Sequence, residues 1–180
     1  MKETVFVIGG CRSGKSRHAL ETTQRYTGGK KKFIATCIPY DEEMKSRVAR
    51  HQNERDQNWE TIEAPLDLSK AIIEAGRDAI VVLVDCLTLW INNLLMEDEN
   101  ADNILDKIPD LIRAIDSVKC PVVLVSNEVG GGIVPENRLA RLFRDLVGSV
   151  NQAVAARADE VVWMVAGIPV TVKELPKTNT

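Results

Sequence analysis

The eight residues Gly-Gly-Cys-Arg-Ser-Gly-Lys-Ser, Gly9 to Ser16, follow the apolar run Thr4–Ile8 and lead into a helical pattern. They match G-x-x-x-x-G-K-S in the order that pattern requires, strand before and helix after. Glycines let backbone N–H groups turn toward phosphate oxygens, and the positive end of the next helix adds to the attraction. Lys15 supplies a point charge for the outer phosphates of a nucleoside triphosphate, and the Ser16 hydroxyl is a ligand for Mg²⁺. The competing reading is a chance glycine turn.

A phosphate loop of this kind needs an acidic partner near the magnesium, and strand ends are where α/β sheets put such groups. The run Ala79–Val84 is wholly apolar and ends in Asp85, the candidate metal ligand. A helix cap or turn is the other common use of such an aspartate.

Two histidines are present. His18 falls in the first helix and reads as structural, or as a loose neighbour of phosphate. His51 lies in a predicted helix where Met44, Val48 and His51 share one face, with Arg47, Arg50, Glu54 and Arg55 close by in sequence. An imidazole half-buried among guanidinium groups stays neutral more readily, and neutral imidazole is a nucleophile toward phosphorus. Spacing alone favours a packed, hydrogen-bonded histidine over that catalytic reading.

A third constellation is Asn127-Glu128-Val129-Gly130-Gly131-Gly132. A polar Asn-Glu pair ends an apolar strand, and three glycines lead toward a helix. Glycines permit close approach of backbone to a ligand, so this stretch reads as part of a site rather than a plain connection.

The elements that must hold these groups alternate between short β-branched runs and longer amphipathic segments, which predicts an α/β fold with a mostly parallel sheet flanked by helices. Strands are expected at Thr4–Ile8, Lys32–Cys37, Ala79–Asp85, Pro121–Asn127 and Glu160–Val165, with a terminal hairpin whose Pro169 favours an edge. Helices are expected at Lys15–Tyr26, Glu42–Asn53, Leu66–Gly76, Ile104–Val118 and Glu136–Ala156. Residues 96–103 are acidic and read as an exposed loop or helix start. No linker or repeat divides the chain, so residues 1–180 are expected to form a single nucleotide-binding domain.

Composition narrows the partners. A formal net charge of −3 and only 4% aromatic residues favour neither nucleic acid nor an anionic membrane. The longest apolar run is broken by Asp85 and is too short to span a bilayer, so no membrane insertion is expected. Cys11, Cys37, Cys86 and Cys120 form no C-x-x-C pair and read as reduced thiols, which suits a cytoplasmic protein.

Taken together, GGCRSGKSRHA, FIATC, DEEMKSRVARHQNER, NEVGGGIVPENRLARLFRDLVGSVNQ and ADEVVWMVAGIPVTVK resemble the bifunctional adenosylcobinamide kinase/adenosylcobinamide-phosphate guanylyltransferase family of cobalamin biosynthesis. The resemblance runs from the first strand to about Lys173. The phosphate loop is shared with many families, whereas the Asn-Glu-Val-Gly-x-Gly-Ile-Val-Pro-Glu stretch is highly specific. It implies two reactions. ATP or GTP phosphorylates the hydroxyl of the aminopropanol arm of adenosylcobinamide. GTP then guanylylates a histidine, releasing pyrophosphate, and adenosylcobinamide phosphate takes up the GMP to give adenosylcobinamide-GDP.

The family histidine falls on His51, and Lys15 joins it as a catalytic residue. Nucleotide contacts are implied at Gly9, Gly10, Cys11, Arg12, Ser13, Gly14, Lys15 and Ser16, and at Ala35, Thr36 and Cys37. Further contacts fall on Gln52, Asn53, Glu54 and Arg55, and on Glu63 and Asp85, with Ser16 and Asp85 as the Mg²⁺ ligands. Cys11 stands where alanine is common in the family and Cys37 where serine is common, so a thiol replaces any hydroxyl contact at 37. Members are homotrimers, which implies the same assembly here and a site completed across a subunit boundary. The corrin ring is expected near Asn127, Glu128 and the glycine loop.

Two rivals remain at this level. A small-molecule kinase of the same loop class without guanylyl transfer makes His51 dispensable. A regulatory module switched by GTP and GDP is disfavoured, because no Asn-Lys-x-Asp motif follows the fourth strand.

Overall fold

A computed structural model of the chain describes residues 2–42 and 57–174. Its strands are β1 (Thr4–Gly9), β2 (Lys31–Ala35), β3 (Trp59–Glu63), β4 (Val81–Asp85), β5 (Val122–Asn127), β6 (Glu160–Val165) and β7 (Ile168–Lys173). They form one sheet in the order β3-β2-β4-β5-β1-β6-β7, parallel throughout except for the antiparallel pair β6/β7. The helices are α1 (Lys15–Thr23), α2 (Leu68–Ala75), α3 (Leu87–Glu97), α4 (Ala101–Leu105), α5 (Lys107–Ser117) and α6 (Arg138–Arg157).

Strand alternation splits the core into two layers. Phe6, Ile34, Val82, Val84, Val122 and Leu124 point into the larger layer, under Leu68 and Ile72 of α2, Trp90, Ile91 and Leu95 of α3, Leu111 and Ile115 of α5, and Leu146, Val150 and Val154 of α6. Val5, Val7, Leu83, Val123 and Val125 point the other way, beneath Ala19 of α1. Strands buried on both faces read as near-continuous apolar runs, which is why β1, β4 and β5 were legible as strands.

The elements depart from expectation in three places. β3, with the sequence WETIE, is a half-exposed edge strand tied to β2 by an ion pair from Lys32 Nζ to Glu60 Oε2 at 2.7 Å, so it lacks the apolar run of a buried strand. Helix α3 was hidden because Leu87, Thr88, Trp90, Ile91, Asn93, Leu94 and Leu95 are all buried, which removes the polar stripe of an amphipathic helix. The segment expected as one helix from Ile104 is two, α4 and α5, with Asp106 at the junction. The expected helix Glu42–Asn53 lies outside the described residues except for Glu42.

The terminal hairpin turns through Ala166 (φ 50°) and Gly167 (φ 86°), the two left-handed positions of a two-residue hairpin loop. Pro169 sits on the outermost strand, where no ladder partner needs its missing N–H. No helix among the described residues is long and apolar enough to cross a membrane.

Candidate active site

The phosphate loop joins β1 to α1, and the neighbouring strands fix its shape. Gly14 takes φ 91° and Arg12 φ 54°, so the chain twice enters the left-handed region before the helix begins. Lys15 Nζ donates to the Gly10 carbonyl at 3.0 Å, which holds the ammonium over the loop. His18 N donates to Gly14 O at 3.0 Å within the first turn of α1.

The loop is buttressed from a direction that sequence reasoning missed. Gly167 N, in the β6–β7 turn, donates to Ser13 O at 3.0 Å. A Cβ on Gly9 would stand 2.6 Å from Ser13 Oγ and 2.7 Å from Met164 O, so position 9 admits no side chain without movement. The hairpin turn is thus one wall of the phosphate loop. The Gly167-x-Pro169 turn signal between apolar runs predicts the hairpin, but nothing in it points to the phosphate loop.

Asp85 ends β4, in register with Ala35 of β2 and Val125 of β5. Burial first, and the Asp85 charge with it, push the neighbouring Cys86 thiol up to about 12, while the Lys15 ammonium pulls the other way. Gly9 pairs with Asn127 and Asp85 with Val125 on β5, so the phosphate loop and the strand-end carboxylate lie at one edge of the sheet. The Asp85–Cys86 peptide is cis.

Thr36 was implied as a nucleotide contact, but its hydroxyl is turned inward. It is fully buried; its Oγ1 accepts from Cys86 N at 2.8 Å and donates to Cys86 O at 2.7 Å. Asn93, on α3, donates to Thr36 O at 2.7 Å and to Pro65 O at 3.0 Å. The ends of β2, β3 and β4 are therefore laced together beneath Ala35, Cys37, Glu63 and Asp85. Ala35, Cys37 and Asp85 are half-buried at that edge and Glu63 is exposed. His51, Gln52, Asn53, Glu54 and Arg55 lie outside the described residues.

The third constellation meets the first directly. Asn127 is paired with Gly9, and Glu128 N donates to Gly9 O at 3.0 Å. Ser13 Oγ and the Oδ1 atoms of Asn127 and Asn151 are buried without a partner among the described residues.

Mg²⁺ fits this chemistry. Ser16 and Asp85 offer a hydroxyl and a carboxylate, the hard oxygen donors that Mg²⁺ accepts alongside phosphate oxygens and water. No group of three or more His, Cys, Asp or Glu side chains that could hold a metal occurs among the described residues. A shallow cleft of about 490 Å³ beside α3 and α4 is lined by Asp67, Glu97, Asp98 and Asp106. It contains no residue of the phosphate loop, and its acidic wall repels phosphate.

The sheet order and the loop define a nucleotide-handling protein of the P-loop class. The solved structures of the flagellar accessory protein FlaH from Methanocaldococcus jannaschii and of the RadB recombinase share this fold, with TM-scores of 0.51 and 0.54 at 15% and 14% identity. They cover 96% and 89% of this chain, and 79% and 73% of their own.

Sequence carries the assignment further. The family described as cobinamide kinase / cobinamide phosphate guanyltransferase matches residues 5–172, and the chain belongs to it. It is 41% and 42% identical to the bifunctional adenosylcobalamin biosynthesis proteins CobU of Escherichia coli K12 and Salmonella typhimurium LT2, over 94% of this chain and 99% of each relative. To the bifunctional adenosylcobalamin biosynthesis protein CobP of Pseudomonas aeruginosa PAO1 it is 39% identical, over 94% and 97%. The chain is an enzyme of cobalamin biosynthesis, with the kinase and guanylyltransferase activities of that family.

Proposed function

We propose that both transfers use the one sheet edge where Lys15 and Asp85 meet. The observation that carries this reading is the sheet register: Gly9 pairs with Asn127 and Asp85 with Val125 on β5, so the phosphate loop that holds Lys15 and the strand-end carboxylate open on one edge. In the kinase step the loop N–H groups and Lys15 hold the triphosphate while the acceptor hydroxyl attacks the γ-phosphorus. The bond to the leaving diphosphate breaks as the new P–O bond forms, and the hydroxyl proton is lost to solvent or base. Ser16 and Asp85 would hold Mg²⁺, which would supply positive charge to offset that developing on the phosphate oxygens.

In the guanylyl step His51 attacks the α-phosphorus of GTP, and pyrophosphate leaves. A phosphate oxygen of adenosylcobinamide phosphate then displaces the histidine, breaking the N–P bond and giving adenosylcobinamide-GDP. A covalent step divides one difficult transfer into two displacements at the same phosphorus. His51, Gln52, Asn53, Glu54 and Arg55 enter this reading through the family resemblance. Homotrimer assembly rests on that resemblance as well, and sedimentation tests it. A cytoplasmic location accords with four free cysteines.

The test is GTP labelled at the α-phosphorus, mixed with protein and Mg²⁺ without acceptor. Acid-labile label on the wild type and none on His51→Ala is the expected result. Absence of both label and pyrophosphate release from wild-type protein leaves the kinase reading alone. Omission of Mg²⁺ should abolish labelling.

A further inference from the structure

We infer that Ile133 and Val134 form an apolar docking tip for the corrin ring of the acceptor, carried on a loop that Arg141 and Arg144 hold in place. The inference deepens the proposed function by naming where its acceptor rests.

The loop starts at the phosphate loop itself, since Glu128 N donates to Gly9 O at 3.0 Å and Asn127 pairs with Gly9 in the sheet. From there the chain runs through three glycines to Ile133 and Val134, whose side chains are 96% and 66% exposed. Gly131 and Gly132 have no atom within 4 Å of where a Cβ would stand, so a large ligand can approach the backbone closely.

Two adjacent exposed aliphatic residues on one loop form a small apolar surface that an apolar ligand can cover. They do not anchor the loop. That task falls to two guanidinium groups on α6. Arg144 donates to the carbonyls of Gly130 (2.6 Å), Ile133 (2.8 Å) and Gly132 (3.3 Å). Arg141 donates to those of Pro135 (3.0 Å) and Glu136 (2.6 Å). Charge-assisted bonds to main-chain oxygens thus fix a loop whose aliphatic side chains are left outward.

The substrate supplies the matching surface. A kinase acceptor must bring its hydroxyl to the end of the phosphate loop, so the bulk of the molecule lies beside that loop. A corrin ring is broad and hydrocarbon-rimmed, with amide-bearing arms. Its rim suits Ile133 and Val134, and its amides suit the open backbone of Gly131 and Gly132.

Equilibrium dialysis with adenosylcobinamide, followed by its visible absorbance, measures docking independently of turnover. Ile133→Ser with Val134→Ser should weaken binding at least about 10-fold, the scale expected when one aliphatic side chain loses its burial. Ile133→Leu should bind like wild type, and Arg144→Met should weaken binding by freeing the loop. Guanylylation by GTP without acceptor should remain unchanged in the double variant, which separates this inference from failure of the reaction scheme. Unaltered corrinoid affinity in the double variant overturns it. So does a change in oligomeric state at unaltered affinity, which would make the tip a contact with a second copy.

Discussion

The Thr36 hydroxyl and the Cys86 peptide unit form a closed pair: Oγ1 accepts from Cys86 N at 2.8 Å and donates to Cys86 O at 2.7 Å. Both residues are buried, so neither backbone group has water as a substitute. The pair fixes the chain just beyond Asp85, and Asn93 extends the same lacing to Pro65. Thr36→Val keeps the shape and removes both bonds, leaving the buried Cys86 N–H unpaired, while the Cys86 carbonyl keeps the Trp90 N–H at 3.2 Å. The expected loss is about 1–3 kcal/mol in urea unfolding, the cost of one buried unsatisfied group. Thr36→Ser, which keeps the hydroxyl, should recover most of it. Equal stability of the two variants would remove the latch from the account.

Glycines of the phosphate loop should respond differently to alanine. Gly14 sits at φ 91°, so alanine there costs about 1–2 kcal/mol in backbone strain alone. At Gly9 the added methyl meets Ser13 Oγ and the Met164 carbonyl, and about 1–3 kcal/mol is expected for the overpacking. Gly10 has open space around it, so Gly10→Ala should unfold at nearly the wild-type urea concentration. Thermal or urea melts of the three variants give the ranking directly.

Thiol chemistry reports on the loop. Cys11 is exposed within it, Cys86 and Cys120 are buried, and burial raises the pKa of both buried thiols. A disulfide reagent at neutral pH should therefore modify Cys11 while leaving Cys86 and Cys120 intact. Mg²⁺ with GTP should slow the Cys11 reaction. Mass mapping of the labelled protein would show Cys86 modified first if the packing around it were wrong.

Much of this site was legible because its signals are local. Gly9 to Ser16 carries strand, turn and helix start in one short stretch, and Asp85 follows directly on an apolar run. The Asn-Glu-glycine stretch was read as a site from the same logic, a polar pair at the end of a buried strand. The latch was not legible, because Thr36, Cys86 and Asn93 come from three different elements and only the sheet register brings them together. The family resemblance implies a nucleotide contact at Thr36 and is silent on the hydroxyl's inward bonds to Cys86. Helix α3 was obscured by burial on nearly every side, and β3 by its polar edge composition.

Alkaline pH should unfold the protein earlier than a sheet of this size would suggest. The Cys86 thiol and the Tyr26 phenol are each pushed up to about 12, from ordinary values of 9.0 and 10.0, mainly by burial. Both are held protonated in the folded state, so their contribution is full below about pH 9 and is lost progressively as pH rises toward 12. Urea midpoints at pH 8, 9.5 and 11 should fall in that order. Tyr26→Phe should make the decline shallower, since the phenol that donates to Glu3 Oε2 is gone. A level profile across that range would contradict the placement of both groups.

The bond from Gly167 to Ser13 also bears on how the protein is made. β1 is synthesised before both of its partners, β5 and β6, which lie more than a hundred residues downstream. The loop that follows it gains its last wall only when the turn at Ala166–Gly167 arrives. Such long-range closure is slow and makes completion of the sheet a late event in folding. The nascent chain therefore carries its phosphate loop for a long stretch of synthesis without the wall that completes it. Nucleotide binding becomes a report that the hairpin turn has reached its place, and chains broken off before Gly167 should compete poorly for GTP.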